Sequence, residues 1–359
     1  MKKILVPSFG NFKLNKASDK KNIVVLMSGG VDSSAAALFF KREGMNVAGV
    51  TMNISNDRSA CESAAKVCEA LSIPHFYTDI ADEFRACVSS PFCESYLLGR
   101  TPNPCADCNE LIKFGLLWDI IEESFGDNLL VSTGHYAKII RREGQTYLAR
   151  ASNRKKDQSY FMSGIKKARI AKMVLPLADF TKEETRALVR SEGLPVAERP
   201  ESMEICFASE SDYRRIIEAP SVHGPITDTS GKVIGEHTGI ANYTLGQRKG
   251  LGIAWKRPLF VTEIRPCDNT IVVSEREAAF SDVVRASGVN IQADEFICSG
   301  NVLYGKIRSQ GEPEECTVTF TSDGAAEARF KKPVFAPAPG QRLVLYTGEG
   351  ILAAGGSII

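Results

Sequence analysis

Two cysteines, one aspartate and a glycine-rich turn are the residues of this chain whose types and spacing could perform chemistry. Cys108 closes a Cys-x-x-Cys pair with Cys105 inside Thr101-Pro102-Asn103-Pro104-Cys105-Ala106-Asp107-Cys108-Asn109, and Cys206 stands between Ile205 and Phe207. A Pro-rich turn running into a helix at Asn109 would set Cys108 beside the positive helix end, which favours the reactive thiolate. Cys-x-x-Cys is also half of a zinc site. None of Cys61, Cys68, Cys87, Cys93, Cys206, Cys267, Cys298 and Cys316 supplies a second pair at that spacing. The turn is Ser28-Gly29-Gly30-Val31-Asp32-Ser33-Ser34. Its glycines allow a tight bend, its N–H groups point into that bend, and the helix after it favours negative charge, so it reads as a phosphate loop in which Asp32 helps position Mg2+. G-x-x-x-x-G-K-[ST] is absent and no lysine follows the glycines, which excludes a Walker loop. An ordinary Gly-rich turn of an α/β sheet is the alternative.

These groups need elements to hold them. Residues 23–27 form an apolar, β-branched strand that hands over to a helix at 35–41, stopped by Gly44. Strands at 47–52, 76–80 and 129–133 then alternate with helices at 59–71, 82–98 and 109–123, which predicts an α/β domain built on a doubly wound parallel sheet. A ligand of such a sheet lies beyond the carboxyl ends of its strands, where Met52 and Thr133-Gly134-His135 fall. Met52 reads as core or as an adenine contact, and Gly134 as a position open to close approach of a nucleotide. A helix at 182–192 ends at Gly193, and Leu194-Pro195 and Arg199-Pro200 break regular structure. From Ile226 onward short strands at 261–264, 270–273, 302–307, 316–320 and 342–346 predict a small central β-rich module and a C-terminal β-barrel. The expected domains are a flexible or loosely docked leader (1–22), the loop-bearing catalytic domain (23–207), the central module (208–282) and the barrel (283–359).

Composition narrows the class. A length of 359 residues suggests two or three domains. With 43% hydrophobic residues and no apolar run near the roughly 20 that a bilayer demands, neither disorder nor a membrane partner is expected. Ten cysteines without a secretory signal point to a reducing compartment, by default the cytoplasm. Net charge is only +1, yet 138–172 holds eleven basic residues, among them Arg141, Arg142, Arg154, Lys155 and Lys156, against Glu143 and Asp157. Beside a nucleotide loop such a run is a candidate track for a nucleic-acid backbone; a solvated face is the plain alternative.

The loop resembles that of the ATP pyrophosphatases, which split ATP between the α and β phosphates and adenylate an oxygen. Taken with Asn103-Pro104, Cys108-Asn109, Thr133-Gly134-His135-Tyr136, Lys156-Asp157-Gln158-Ser159-Tyr160-Phe161, Ile205-Cys206-Phe207 and Thr244-Leu245-Gly246-Gln247-Arg248-Lys249-Gly250-Leu251-Gly252, the chain from residue 23 to its end resembles the tRNA-specific 2-thiouridylases. The resemblance implies ATP-dependent transfer of sulfur to C2 of the wobble uridine of tRNAs of the Lys, Glu and Gln type. It implies Cys108 as nucleophile, Cys206 as persulfide carrier, and Asp32 beside the ATP. ATP with Mg2+ would contact Leu26, Met27, Ser28, Gly29, Gly30, Val31, Asp32, Ser33, Ser34, Met52 and Gly134. The tRNA would meet Asn103, Pro104, Cys105, His135, Lys156, Asp157, Gln158, Arg308, Ser309 and Gln341, with its uridine flipped into the pocket. A cysteine desulfurase or a sulfur-relay protein would supply the sulfur.

Two positions depart from the family pattern: Cys105 stands where aspartate is usual after Asn-Pro, and Ser309 where an aromatic residue follows the arginine. Cys105, Cys108 and Cys206 could be three ligands of a [4Fe–4S] cluster with one open corner, an alternative to the persulfide. Asp107 could equally replace the missing carboxylate, leaving Cys105 as a small filler. Two rival functions differ in class: an amidotransferase-type synthetase, for which no attached glutaminase is evident, and an RNA-binding protein with a vestigial loop.

Overall fold

A computed structural model describes residues 3–15, 21–200, 205–207, 216–217, 222–297 and 302–359. Glu204, Cys298, the boundary expected at 207/208 and the leader lysines Lys2, Lys16 and Lys20 lie outside them. The chain divides into two compact units: residues 1–87, 106–203 and 350–352, and residues 88–105, 204–349 and 353–359.

The first unit is built on strands β1 (Val6–Phe9), β2 (Asn22–Leu26), β3 (Asn46–Asn53), β4 (His75–Asp79) and β5 (Leu130–Thr133), with a hairpin β6 (Ala137–Arg142) and β7 (Gln145–Arg150), and β8 (Met173–Val174). Six of them form a sheet in the order β1-β4-β3-β2-β5-β8. All five residues of β2 are buried, as a strand covered on both faces requires. Helix α1 (Val31–Arg42) lays Ala35, Ala36, Ala37, Leu38 and Phe40 into the same core as Ile23 and Val25. Strand β2 pairs in parallel with β3 on one side and β5 on the other. The chain therefore winds outward in both directions from β2, and Leu26 registers with Thr133 at the carboxyl ends where the order reverses. That crevice is where doubly wound sheets hold ligands.

Two expectations change here. Residues 6–9, expected within a flexible leader, form an edge strand antiparallel to β4, and Phe12 is buried with its ring 5.0 Å from Phe125. The helix expected from Asn109 begins a turn earlier, at Pro104, and continues through a π-helical stretch at Cys108–Leu116 into Leu117–Phe125. Proline at the first helical position explains that start, because its missing N–H would have no partner there anyway. Cys108 consequently lies inside the helix and buried, rather than at its positive end.

In the second unit, β9 (Gly224–Thr227), β10 (Val233–His237), β11 (Leu259–Arg265) and β12 (Thr270–Glu275) form a four-stranded sheet. It closes on Ile226, Val261, Ile271 and Val273. Strands β13 (Phe280–Ile291), β14 (Val302–Lys306), β15 (Glu314–Phe320), β16 (Ala326–Phe335), β17 (Arg342–Tyr346) and β18 (Leu352–Ile358) form a closed barrel, as expected. The helix Ser90–Leu97 belongs to this unit, because Phe92 and Tyr96 bury against Ile217 and Ala241.

Candidate active site

The turn between β2 and α1 is held from several sides. Gly29 adopts φ +69°, and a Cβ there would stand 2.8 Å from the Ala60 carbonyl, so only glycine fits. Gly30 has φ −101° and needs no such freedom. Ser33 Oγ accepts from the Ser28 N–H at 3.1 Å, and Ser34 Oγ donates to the Gly30 carbonyl at 2.8 Å. The Gly29 carbonyl accepts from Ser63 Oγ at 3.0 Å and from Arg199 Nη1 at 2.8 Å.

Asp32, in the first turn of α1, is held by two side chains. Its Oδ1 accepts from Lys182 Nζ at 2.6 Å and from the Tyr136 hydroxyl at 2.9 Å, and that hydroxyl also lies 2.9 Å from Thr185 Oγ1. Thr181 and Glu184 form a capping box that fixes Lys182 in the first turn of the helix Lys182–Ser191. The carboxylate expected beside Mg2+ is thus already paired with a cation. Gly134 is required by the loop itself: a Cβ there would fall 2.5 Å from Ser33 N and 2.6 Å from the Asp32 carbonyl carbon. Close approach at Gly134 is already made by the backbone of the loop.

His135 follows directly. Its Nδ1 shares a 2.7 Å hydrogen bond with Thr133 Oγ1, and its ring tilts on Phe114 at 6.2 Å between centroids. Burial, and secondarily the Lys113 ammonium, pushes its pKa down to about 3, so the imidazole is neutral at pH 7. Asn109 Nδ2 donates to the Phe161 carbonyl at 2.9 Å and its Oδ1 accepts from Lys113 Nζ at 3.1 Å, tying the Cys108 stretch to the turn Ser159–Met162. Of the trio expected on tRNA, Asp157 is buried. It pairs with Arg150 at 3.2 Å and accepts the N–H groups of Ala151 and Ser159, which shapes the loop. Gln158 Oε1 accepts from the Tyr136 N–H at 2.9 Å, while Lys156 is half-buried next to exposed Arg154 and Lys155.

Part of the basic run has partners within the protein. Lys138 pairs with Asp179, Arg169 with Asp119 and Glu122, and Lys172 with Glu122, while Arg141 donates to the Met173 carbonyl.

In the second unit, Gln341 Nε2 donates to the carbonyls of Thr101 and Pro102 at 3.1 and 3.2 Å, and Asn103 Nδ2 donates to Gln341 Oε1 at 3.4 Å. Arg308, expected on tRNA, donates through Nη2 to the carbonyls of Leu245 and Ala336 at 2.8 and 2.9 Å, bracing the turn at Gly246. Ser309 is half-buried in the bend beside it. Cys105 and Cys206 are exposed; Phe207, next to Cys206, packs edge-on against Phe92 at 5.4 Å. Met52, at the end of β3, is half-buried. Burial pushes the thiols of Cys68 and Cys316 up to about 12, which makes them inert packing groups. Among the described residues, no group of three or more His, Cys, Asp and Glu side chains is arranged to hold a metal ion.

Three family models cover the chain in order: "tRNA methyl transferase HUP domain" on residues 21–210, "tRNA methyl transferase PRC-barrel domain" on 215–275 and "Aminomethyltransferase beta-barrel domain" on 295–359. A protein of Syntrophus aciditrophicus named tRNA-specific 2-thiouridylase MnmA 1 is 40% identical over 94% of this chain and 92% of its own length. A tRNA-specific 2-thiouridylase MnmA of Lachnoclostridium phytofermentans is 38% identical over 94% of this chain and 99% of its own length. The chain belongs to the tRNA-specific 2-thiouridylase family. Three residues around the phosphate loop of this 2-thiouridylase family member were given no role at the site from its sequence: Lys182, Tyr136 and Arg199. Thr181-Lys182-Glu183-Glu184 is a capping-box pattern readable in advance, and it sets Lys182 at the helix start; what it touches depends on a partner 150 positions away.

Proposed function

We propose that this protein uses ATP to 2-thiolate uridine 34 of tRNAs of the Lys, Glu and Gln type, releasing AMP and pyrophosphate. The carrying observation is the braced loop at 28–34, set at the reversal point of the sheet beside Gly134 and His135, in a chain whose near full-length relatives bear that name. Uridine O2 attacks the α-phosphorus, the O2–P bond forms, the α–β bridge breaks and pyrophosphate leaves with the electron pair. C2 is then open to sulfur. The outer sulfur of a persulfide on Cys206 attacks C2 and AMP departs. Cys108 next attacks the Cys206 sulfur, the S–S electrons return to the sulfur on the base, and a Cys108–Cys206 disulfide results, which external thiol reduces before the next turnover. Mg2+ accompanies ATP as a counter-ion of its phosphates. Neutral His135 can exchange hydrogen bonds with a flipped base without adding charge. A cysteine desulfurase or relay protein would load Cys206, and a reducing cytoplasm suits both the thiols and the tRNA. No helix among the described residues is long and apolar enough to cross a membrane.

The test is tRNA-dependent conversion of ATP to AMP. Wild-type protein should need both substrates and yield 2-thiouridine when persulfide is supplied, and Asp32→Ala should form no AMP. Turnover that persists in Asp32→Ala, or that ignores tRNA, would overturn the assignment.

A further inference from the structure

The phosphate loop contains no basic residue: none occurs from Met27 through Phe40. It does contain an acid. Asp32 stands in the first turn of α1, where the N–H groups and the helix end are turned toward an anion, so a triphosphate arriving there meets a like charge. Lys182 answers that charge from another element. Its side chain is only 10% exposed, its Nζ lies 2.6 Å from Asp32 Oδ1, and the Thr181–Glu184 capping box sets the turn that presents it. The backbone and Cβ of Asp32 lie against Gly134, so three segments converge on one point of the reversal crevice.

We propose that Lys182 is the polyphosphate-binding cation of this site, standing in for the lysine that the loop lacks; the inference rests on the reading of residues 28–34 as the ATP loop. Without nucleotide it neutralises Asp32. With nucleotide its ammonium, a compact point charge, is shared between Asp32 and the pyrophosphate half of ATP. Arg199 has a different part: it grips the Gly29 carbonyl and Ser63 Oγ, and so holds the loop's backbone. A purely structural ion pair, fastening the helix Lys182–Ser191 to α1, is the competing account, and the two separate when pair and charge are removed independently.

The experiment titrates inorganic pyrophosphate calorimetrically into the full-length wild type, Lys182→Arg, Lys182→Gln and the Asp32→Asn/Lys182→Gln double variant, with the thermal midpoint of each measured alongside. Lys182→Arg should keep affinity within about threefold, and Lys182→Gln should lose about tenfold or more, the range of a charge-assisted contact. Lys182→Gln should also melt earlier, since it strands the Asp32 charge. The double variant should regain the melting temperature while pyrophosphate binding stays weak. Recovery of binding together with the midpoint, or unchanged binding in Lys182→Gln, would overturn the proposal. Wild-type protein that binds neither pyrophosphate nor ATP would instead bring down the ATP-loop reading on which it rests.

Discussion

Gln341 clamps the turn that leads into the cysteine helix: its side-chain amide donates to the carbonyls of Thr101 and Pro102, about 240 positions earlier in the chain, at 3.1 and 3.2 Å. Gln341→Leu removes both donors and the acceptor for Asn103. At about 1 kcal/mol for each hydrogen bond, the melting temperature should drop by a few degrees. Thiolation should slow because Asn103, Pro104 and Cys105 lose their fixed backbone, with ATP affinity held. A variant that thiolates at the wild-type rate would show that the clamp does not position this segment.

For the basic stretch, exposed Lys155 and half-buried Lys156 are the proposed contacts to tRNA phosphates. Lys155→Glu with Lys156→Glu should weaken tRNA binding several-fold and flatten its dependence on salt, each lost phosphate contact reducing the log–log slope by about 0.7–0.9. Lys138→Gln should matter much less, because Lys138 already pairs with Asp179. Equal losses in filter-binding assays across a salt series would contradict this ranking.

Acid sensitivity follows from two histidines. Burial pushes His75 down to about 4 and His135 to about 3, from an ordinary value of 6.5. Between those limits the unfolded chain binds protons that the folded chain refuses, so stability present above pH 6.5 is lost progressively as pH falls and stops declining from this source below about 3. From pH 7 to pH 5 each histidine should remove up to about 2 kcal/mol. His75→Gln, which can still hydrogen-bond Thr51, should lose less over that interval in urea unfolding; an identical acid slope would refute the assignment.

Cys108→Ala and Cys206→Ala should yield no 2-thiouridine. Cys105→Asp should retain thiolation with a persulfide donor, since Cys105 stands where the family's aspartate does. Iron analysis after anaerobic purification checks the route: iron-free wild type that turns over repeatedly fits the persulfide scheme, and an absolute need for iron and sulfide would end it.

Much of the framework was legible in the sequence. Residues 23–26 of β2 are a continuous apolar run, and the alternation of strands with helices admits few arrangements other than a doubly wound sheet, so the loop and Gly134 fell at adjacent strand ends. What stayed hidden was non-local. Nothing near Lys182 tells that its partner is Asp32, and nothing near Asp157 or Arg308 tells that one is spent on a neighbouring guanidinium and the other on two carbonyls. Polar residues within a motif read as ligand contacts because a one-dimensional pattern does not reveal internal partners. The helix start at Pro104 did carry a local signal, proline after asparagine.

The dependence of the phosphate loop on Lys182 and Arg199 also sets a schedule during synthesis. The loop's own residues leave the ribosome early, but the side chains that neutralise Asp32 and grip Gly29 follow 150 and 170 positions later. At a translation rate of about 5–20 residues per second that interval is roughly 10–30 s. For that time a nascent chain carries a recognisable nucleotide motif with an uncompensated acid in it, and the side chains that brace the loop are complete only after residue 199 has been made.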